Sequence, residues 1–244
     1  MEIIKLDATA STNTYLKHLV KEKACEDYTV VVCEHQTQGR GQKGNSWYSE
    51  RGKNLTVSIL KKFEGLDVGD SFSLNCAVSL AILDVLNMLS IPDVQVKWPN
   101  DIMAGNKKLC GILIENNLVG VEVKYSIVGF GLNVNQENFG NYKHATSLKL
   151  STGNHYNLEE ILGKILNRLE EYFESFFPNK LKDLRTRYHL QLFRRNKWFE
   201  YIDQVNQITF TGKIIGTTPS GQLEIETKEG VLRTYNFKEI EMVY

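Results

Sequence analysis

Apolar and polar positions alternate along this chain with two periods, and the periods divide it into elements. Tyr15, Leu16, Leu19 and Val20 follow Ser11-Thr12-Asn13, a capping sequence, and predict a helix. Tyr28 to Cys33 is a β-branched run and predicts a strand, as does Asn54 to Leu60. Ser71 to Leu89 is apolar almost all round and predicts a buried helix. Val94, Val96 and Trp98 alternate with polar residues, as in a strand that Pro99-Asn100-Asp101 interrupts. Leu109 to Glu115 and Leu118 to Val128 predict a hairpin turning at Asn116-Asn117. Asn157 caps a helix to about Phe177, with Glu160 at the capping-box position and Pro178 as the stop. A further helix is expected from Leu181 to about Leu192.

From Trp198 onward the helical period disappears. The runs VNQITFTGKIIG, QLEIET, VLRTYNF and IEMVY are separated by Pro219-Ser220-Gly221 and Glu229-Gly230. Five short strands in this span suggest a small β-barrel appended to a domain of mixed helices and strands. The expected boundary divides residues 1–195 from 196–244.

Composition narrows the class. The chain has 244 residues, 42% hydrophobic and 24% charged, which suits a globular core. Formal net charge is zero, which argues against a protein built to coat nucleic acid. The N-terminus lacks the basic and apolar regions of a signal peptide. Ala77 to Leu89 is shorter than a bilayer span and carries Asp84, so no membrane segment is expected. Cys25, Cys33, Cys76 and Cys110 lie far apart, which fits reduced, buried thiols in a cytoplasmic protein. The five histidines do not cluster at zinc-ligand spacing.

Two polar segments stand out. Residues 35–49 read HQTQGRGQKGNSWYS. Gly39, Gly41 and Gly44 let backbone approach a ligand, Arg40 and Lys43 add positive charge, and Trp47 can close over a flat ring. The segment is not a Walker loop, because G-x-x-x-x-G-K-[ST] is absent, and not a dinucleotide fingerprint, because a strand and not a helix follows its G-x-G-x-x-G. By composition alone such a segment is more often a solvated loop than a ligand cradle. In the second segment, Lys97, Asn100, Asp101 and Lys108 crowd charge around an apolar strand pair.

Taken together, the Gly39–Trp47 loop, Lys97-Trp98-Pro99-Asn100-Asp101 and Lys108-Leu109-x-Gly111-Ile112-Leu113-x-Glu115 resemble biotin protein ligases. Ser11-Thr12-Asn13 upstream, Gly129-x-Gly131-x-Asn133 and Ala145-Thr146-Ser147-Leu148 downstream complete the resemblance in the family's order. The resemblance implies a mixed β-sheet flanked by helices, similar to class II aminoacyl-tRNA synthetases, with an SH3-like domain behind it. It implies two reactions. Biotin's carboxylate attacks the α-phosphate of ATP, giving biotinyl-5′-AMP and pyrophosphate; a lysine amine of a biotin carboxyl carrier protein then attacks the anhydride. Ser11-Thr12-Asn13 lies so near the start of the sequence that no DNA-binding winged helix is expected. A monomer and a homodimer are both compatible with this reading.

The same resemblance assigns roles. Biotin is expected on Ser11, Thr12, Asn13, Gln36, Gly39, Arg40, Gly41, Gln42, Lys108 and Gly111. The nucleotide is expected on Arg40, Trp47, Lys97, Asn100 and Asn133. Catalysis falls to Arg40, Lys97, Asp101 and Lys108, because a carboxylate brought up to a polyphosphate needs cations. Asp101 is the candidate Mg²⁺ ligand. In the second step the acceptor lysine must be neutral. With a pKa of ~10.4, about one lysine in a thousand is neutral near pH 7.4, equivalent to ~4 kcal/mol. Asp101 and the field of Lys97 are the candidates to overcome that.

The sequence departs from the family at Gln42 and Asn45, where arginines are common. An amide lacks the fixed cationic fork of arginine. Gln42→Arg is therefore expected to slow the escape of biotinyl-AMP, measured as its dissociation rate; an unchanged rate would count against a role for this position. A lipoate–protein ligase and a non-catalytic biotin or nucleotide sensor are the rival readings. Nucleic-acid binding by the C-terminal barrel is disfavoured, because Asn206–Gly216 lacks clustered basic and aromatic residues.

Overall fold

The structure is a computed structural model that describes residues 1–243 and all of their side chains except that of Lys43. The charge expected of Lys43, and the last residue of the IEMVY run, lie outside what is described.

A seven-stranded mixed sheet forms the larger body. Its strands are β1 (Ile3–Thr9), β2 (Val30–Gln36), β3 (Leu55–Asp67), β4 (Val94–Lys97), β5 (Asp101–Ala104), β6 (Lys107–Val119) and β7 (Glu122–Leu132). They lie in the order β1-β2-β3-β7-β6-β5-β4, with only the β1–β2 pair parallel. Helices α1 (Thr12–Glu22), α2 (Phe72–Met88), α3 (Leu148–Thr152), α4 (Leu158–Phe176) and α5 (Leu181–Leu190) flank it. A separate antiparallel sheet follows: β8 (Trp198–Asp203), β9 (Ile208–Thr217), β10 (Leu223–Thr227), β11 (Leu232–Tyr235) and β12 (Ile240–Met242). Its order is β11-β10-β9-β8-β12.

The two faces of the large sheet bury different amounts. One face carries Val57, Ile59, Ile112, Val128 and Phe130 against α2 and α4, in the main core. The other buries Val31, Leu60 and Ile127 under Leu16 of α1. A single 11-residue helix cannot cover seven strands, so the rest of that face is open. The site lies there.

Helix α4 follows its sequence signals. Asn157 Oδ1 accepts from the N–H groups of Glu159 and Glu160, and Ile161, Leu162, Ile165, Leu166 and Leu169 are buried. Other expectations need correction. β1 is a strand not among those expected: Ile4 and Leu6 alternate with Lys5 and Asp7, but the alternation is short and the strand lies half-exposed at the sheet edge. The long hairpin turns at Gly120-Val121, not at Asn116-Asn117. Gly120 adopts φ 61°, which glycine accepts without strain. Asn116 and Asn117 pair with Ser126 and Tyr125 inside the ladder, and Asn116 Oδ1 accepts from Ser126 Oγ at 2.7 Å. Val68–Met88 is, by length and composition, apolar enough to cross a membrane, contrary to the reading of Ala77–Leu89. Yet 72% of its apolar window is buried inside the protein, as expected of a core helix.

The two sheets are joined through the segment after α5. Phe193 N donates to Val96 O at 2.8 Å and Val96 N donates to Gln191 O at 2.9 Å, so this segment covers the free edge of β4. Nearby, His189 Nε2 accepts from Thr217 N at 3.0 Å. Burial, then the charges of Arg195 and Arg185, push the His189 imidazole down to about 4. An unfolded histidine titrates near ~6.5. The unfolded chain therefore binds the proton first, and stability is lost as pH falls from ~6.5 toward 4. His189→Gln keeps an acceptor without the titration. Its melting temperature should fall less than the parent's between pH 7 and pH 4.5, and equal slopes would contradict this.

Candidate active site

The open face is built on one register row. Lys97 pairs with Asp101, Asp101 with Gly111, Gly111 with Gly131 and Gly131 with Thr56, across five neighbouring strands. Two adjacent glycines leave a flat floor in the middle of this row. The indole of Trp47 lies on it. A Cβ on Gly131 would fall 2.3 Å from Trp47 Cε2, and one on Gly111 would fall 3.0 Å from Trp47 Cζ3.

The glycine loop holds that indole in place. Trp47 N donates to Gly39 O at 2.8 Å and Gly41 N donates to Asn45 O at 2.7 Å, so the loop closes on itself. A Cβ on Gly39 would meet Trp47 O at 2.3 Å, which explains the glycine there. Gly41 meets Asn45 O at 3.3 Å and is less tightly constrained.

Trp47 stands between two cavities. The first, of about 280 Å³, runs from Ser11, Thr12 and Gln36 past Gln42 to Lys97 and Asp101. The second, of about 300 Å³, is bounded by Tyr48, Asn133, Phe139 and Tyr142. Trp47 and Lys108 belong to both walls. Lys108 Nζ lies 2.7 Å from Asp101 Oδ1 and 5.5 Å from the centre of the Trp47 ring. An irregularity in the β5–β6 ladder re-aims Lys108, and loop residues fix its backbone. Lys108 N donates to His144 O at 2.7 Å, and Thr146 N donates to Lys108 O at 2.9 Å.

At its far end the first cavity is polar and closely bonded. Gln36 Oε1 accepts from Thr12 N at 2.8 Å. Ser58 Oγ lies 2.7 Å from Thr12 Oγ1 and 2.6 Å from Asn13 Oδ1. Asn13 Nδ2 donates to Leu113 O at 3.2 Å and to Glu115 Oε2 at 3.0 Å. A Cβ on Gly129 would strike Asn13 Oδ1 at 2.2 Å. The Ser11 side chain starts α1 but makes no capping bond to it; it is buried against the cavity instead.

Some expected residues sit differently from their expected roles. Asn100 lines the first cavity, but its Nδ2 donates to Ile112 O at 2.6 Å, a bond between two strands. Arg40 also lines it, yet its guanidinium faces Thr14 Oγ1 at 3.3 Å and Glu115 Oε1 at 3.5 Å. Glu115 thus anchors both Asn13 and Arg40, a role that spacing alone does not show. The C-terminal sheet contributes Phe237 to the cavity wall. Trp98, whose Nε1 donates to Gly221 O at 2.8 Å, ties that sheet to the site. The Cys110 thiol is fully buried and burial pushes its pKa up, which suits packing and not nucleophilic chemistry.

Three polar atoms in these walls have no hydrogen-bond partner among the described residues: Gln42 Oε1, Trp47 Nε1 and Asn133 Oδ1. A buried group left unpaired costs about 1–3 kcal/mol, so their clustering at two cavities marks a place for ligand. Asn133 is otherwise fixed, with Nδ2 donating to Thr146 O at 2.9 Å.

The sequence profile of the biotin/lipoate A/B protein ligase family matches residues 6–133, just over half of the chain. This chain belongs to that family. It is similar to the bifunctional ligase/repressor BirA of Bacillus subtilis, at 27% identity over 241 residues. That match covers 96% of this chain and 72% of the relative. Over 131 residues it is 35% identical to the biotin–[acetyl-CoA-carboxylase] ligase of Mycobacterium tuberculosis, covering 52% of this chain and 47% of that one. Its fold is similar to that of the biotin protein ligase from Aquifex aeolicus in complex with biotin and ATP. There the TM-score is 0.79 at 28% identity, over 99% of this chain and 98% of that chain.

Proposed function

We propose that this family member is an ATP-dependent biotin protein ligase, which activates biotin as biotinyl-5′-AMP and transfers it to a lysine of a biotin carboxyl carrier protein. The observation that carries the reading is the meeting of two cavities at Lys108 and Trp47. Two substrates that must react with each other need adjoining pockets with a cation at the junction.

In this reading biotin occupies the first cavity. Its ureido ring faces Ser11, Thr12 and Gln36, and its carboxylate reaches Lys108. The adenine occupies the second cavity, stacked on Trp47, with its exocyclic amine donating to the unpaired Asn133 Oδ1. Lys108 and Lys97 then offset the repulsion between carboxylate and phosphates while the carboxylate oxygen bonds to the α-phosphorus and pyrophosphate leaves. In the second step the acceptor amine enters beside Asp101, which takes its proton as the amide forms and AMP departs. Arg40 lines the biotin cavity, and its guanidinium, held by Thr14 and Glu115, would release Glu115 to meet the phosphates.

Mg²⁺ fits this donor set as a companion of ATP. A hard cation of this kind takes one or two carboxylates and completes its shell with phosphate oxygens and water. Asp101 is the carboxylate that would hold it, and the ion would add positive charge at the phosphates. No cluster of three or more acidic, His or Cys side chains suited to a metal exists among the described residues.

We further assign the seven-stranded mixed sheet with its flanking helices to the class II aminoacyl-tRNA synthetase type, and residues 196–244, with five short antiparallel strands, to an SH3-like domain. Zero net charge supports a ligase without a DNA-binding role, and four free, buried cysteines support a cytoplasmic location. The test is incubation with biotin, ATP, Mg²⁺ and a carrier domain, read by mass spectrometry. One biotinyl group on a single carrier lysine is expected. An unmodified carrier alongside active biotin exchange would refute the transfer step.

A further inference from the structure

Close along the chain to Trp47 and Asn133 of the second cavity lies a polar cluster that the reaction just described does not use. Gln136 is fully buried, at 0% exposure, and Ser49 and Asn54 are buried at 4% each. Gln136 Oε1 accepts two bonds, from Glu50 N at 3.0 Å and from Asn54 Nδ2 at 2.5 Å. Its Nε2 donates to Asn138 O at 2.7 Å. Asn54 also donates to Ser49 Oγ at 3.2 Å, and its Oδ1 accepts from Val134 N at 2.9 Å. The amide orientation follows from this set, since a flipped Gln136 would place its NH₂ against two donors.

The cluster connects two segments in particular. Ser49 and Glu50 end the glycine loop, two and three residues after Trp47. Gln136 and Asn138 follow Asn133 by three and five residues. Trp47 and Asn133 both line the second cavity. A second bridge joins the same segments at the cavity mouth. Tyr48 and Tyr142 stack with centroids 6.2 Å apart and an interplanar angle of 11°, although both are about half exposed. Aromatic pairs favour offset stacking at such distances.

We infer that Gln136 and the Tyr48–Tyr142 stack form a two-point clamp that fixes the distance between Trp47 and Asn133, and so sets nucleotide affinity more strongly than biotin affinity. Gln136 touches no reacting atom; it is a positioning residue acting through the backbone of Glu50 and through Asn54. Satisfied buried amides rigidify the segments they join, and a loop held at one end only would let the cavity vary in width. The inference rests on the assignment of the second cavity to the nucleotide.

The test measures the KM for ATP in biotin-dependent pyrophosphate exchange, and the Kd for biotin by calorimetry, for the parent and Gln136→Met. Methionine keeps the length and removes every polar contact. We expect the KM for ATP to rise tenfold or more and the Kd for biotin to rise by a clearly smaller factor, because Trp47 is one wall of the first cavity whereas the clamp joins two walls of the second. A merely structural residue would weaken both ligands together. Equal weakening, or an unchanged KM for ATP in folded protein, would overturn the clamp. If Gln136→Met does not fold, the exposed pair decides. Tyr48→Ala and Tyr142→Ala should each raise the KM for ATP about threefold, and the double variant no further. Additive effects, or none, would overturn the proposal. A parent without exchange would instead remove the nucleotide assignment on which the clamp rests.

Discussion

Lys108→Gln is expected to lower biotin-dependent pyrophosphate exchange by about 10²- to 10³-fold while leaving the fold intact. The argument is electrostatic. Bringing a carboxylate to within ~4 Å of a phosphate oxygen costs roughly 1 kcal/mol in water and about 4 kcal/mol at the lower effective dielectric of a protein site. A cation fixed at the junction offsets this without reorganising during the reaction, and removing one such group costs about 2.7–4 kcal/mol. Lys108 is the cation shared by both cavities, and its backbone is fixed by His144 and Thr146. Its pairing with Asp101 is partly exposed, with 36% of the lysine side chain accessible, so its loss should cost at most about 1 kcal/mol of stability. The change should therefore appear in the rate and hardly in the melting temperature. A loss below tenfold would mean that Lys97 or Arg40 supplies the charge instead.

The second large effect is expected from one methyl group. Gly131→Ala places a Cβ 2.3 Å from Trp47 Cε2, a separation that no real Cβ contact allows. The strand cannot yield, because β7 is paired on both sides, with β3 and β6. The indole must lift off its floor, and overpacking of this kind costs typically 1–3 kcal/mol. Trp47 walls both cavities, so the KM for ATP should rise about tenfold or more. Gly111→Ala is the control. Its Cβ falls 3.0 Å from the same ring and 3.2 Å from the flexible end of Lys108, so small shifts relieve it. Steady-state kinetics of the two variants should rank Gly131→Ala as clearly the worse. The opposite rank would remove Trp47 from the nucleotide site.

Much of this site was legible in the sequence because its parts are local. The glycine loop, Lys97 to Asp101, and Lys108 to Glu115 are each read from a few consecutive residues, and the sheet register then brings them together. What the sequence did not show depends on partners far along the chain. Asn100 reads as a ligand contact until Ile112 O takes its amide. Arg40 reads as a phosphate cation until Glu115, 75 residues away, takes its guanidinium. The Asn116-Asn117 pair has turn chemistry, but Gly120 relieves more backbone strain and moves the turn to itself. The signal of β1 is weak because its apolar face, Ile4 and Leu6, is short and only partly buried at the sheet edge. Gln136 carries no motif at all, since its meaning lies in Glu50 and Asn54.

The central claim is that the two cavities bind biotin and ATP and join them. It is tested most directly by exchange of labelled pyrophosphate into ATP, with biotin or lipoate as the sole acid added. The account predicts exchange that depends on biotin and is absent with lipoate. Exchange with lipoate alone, or with neither acid from folded protein, would contradict it.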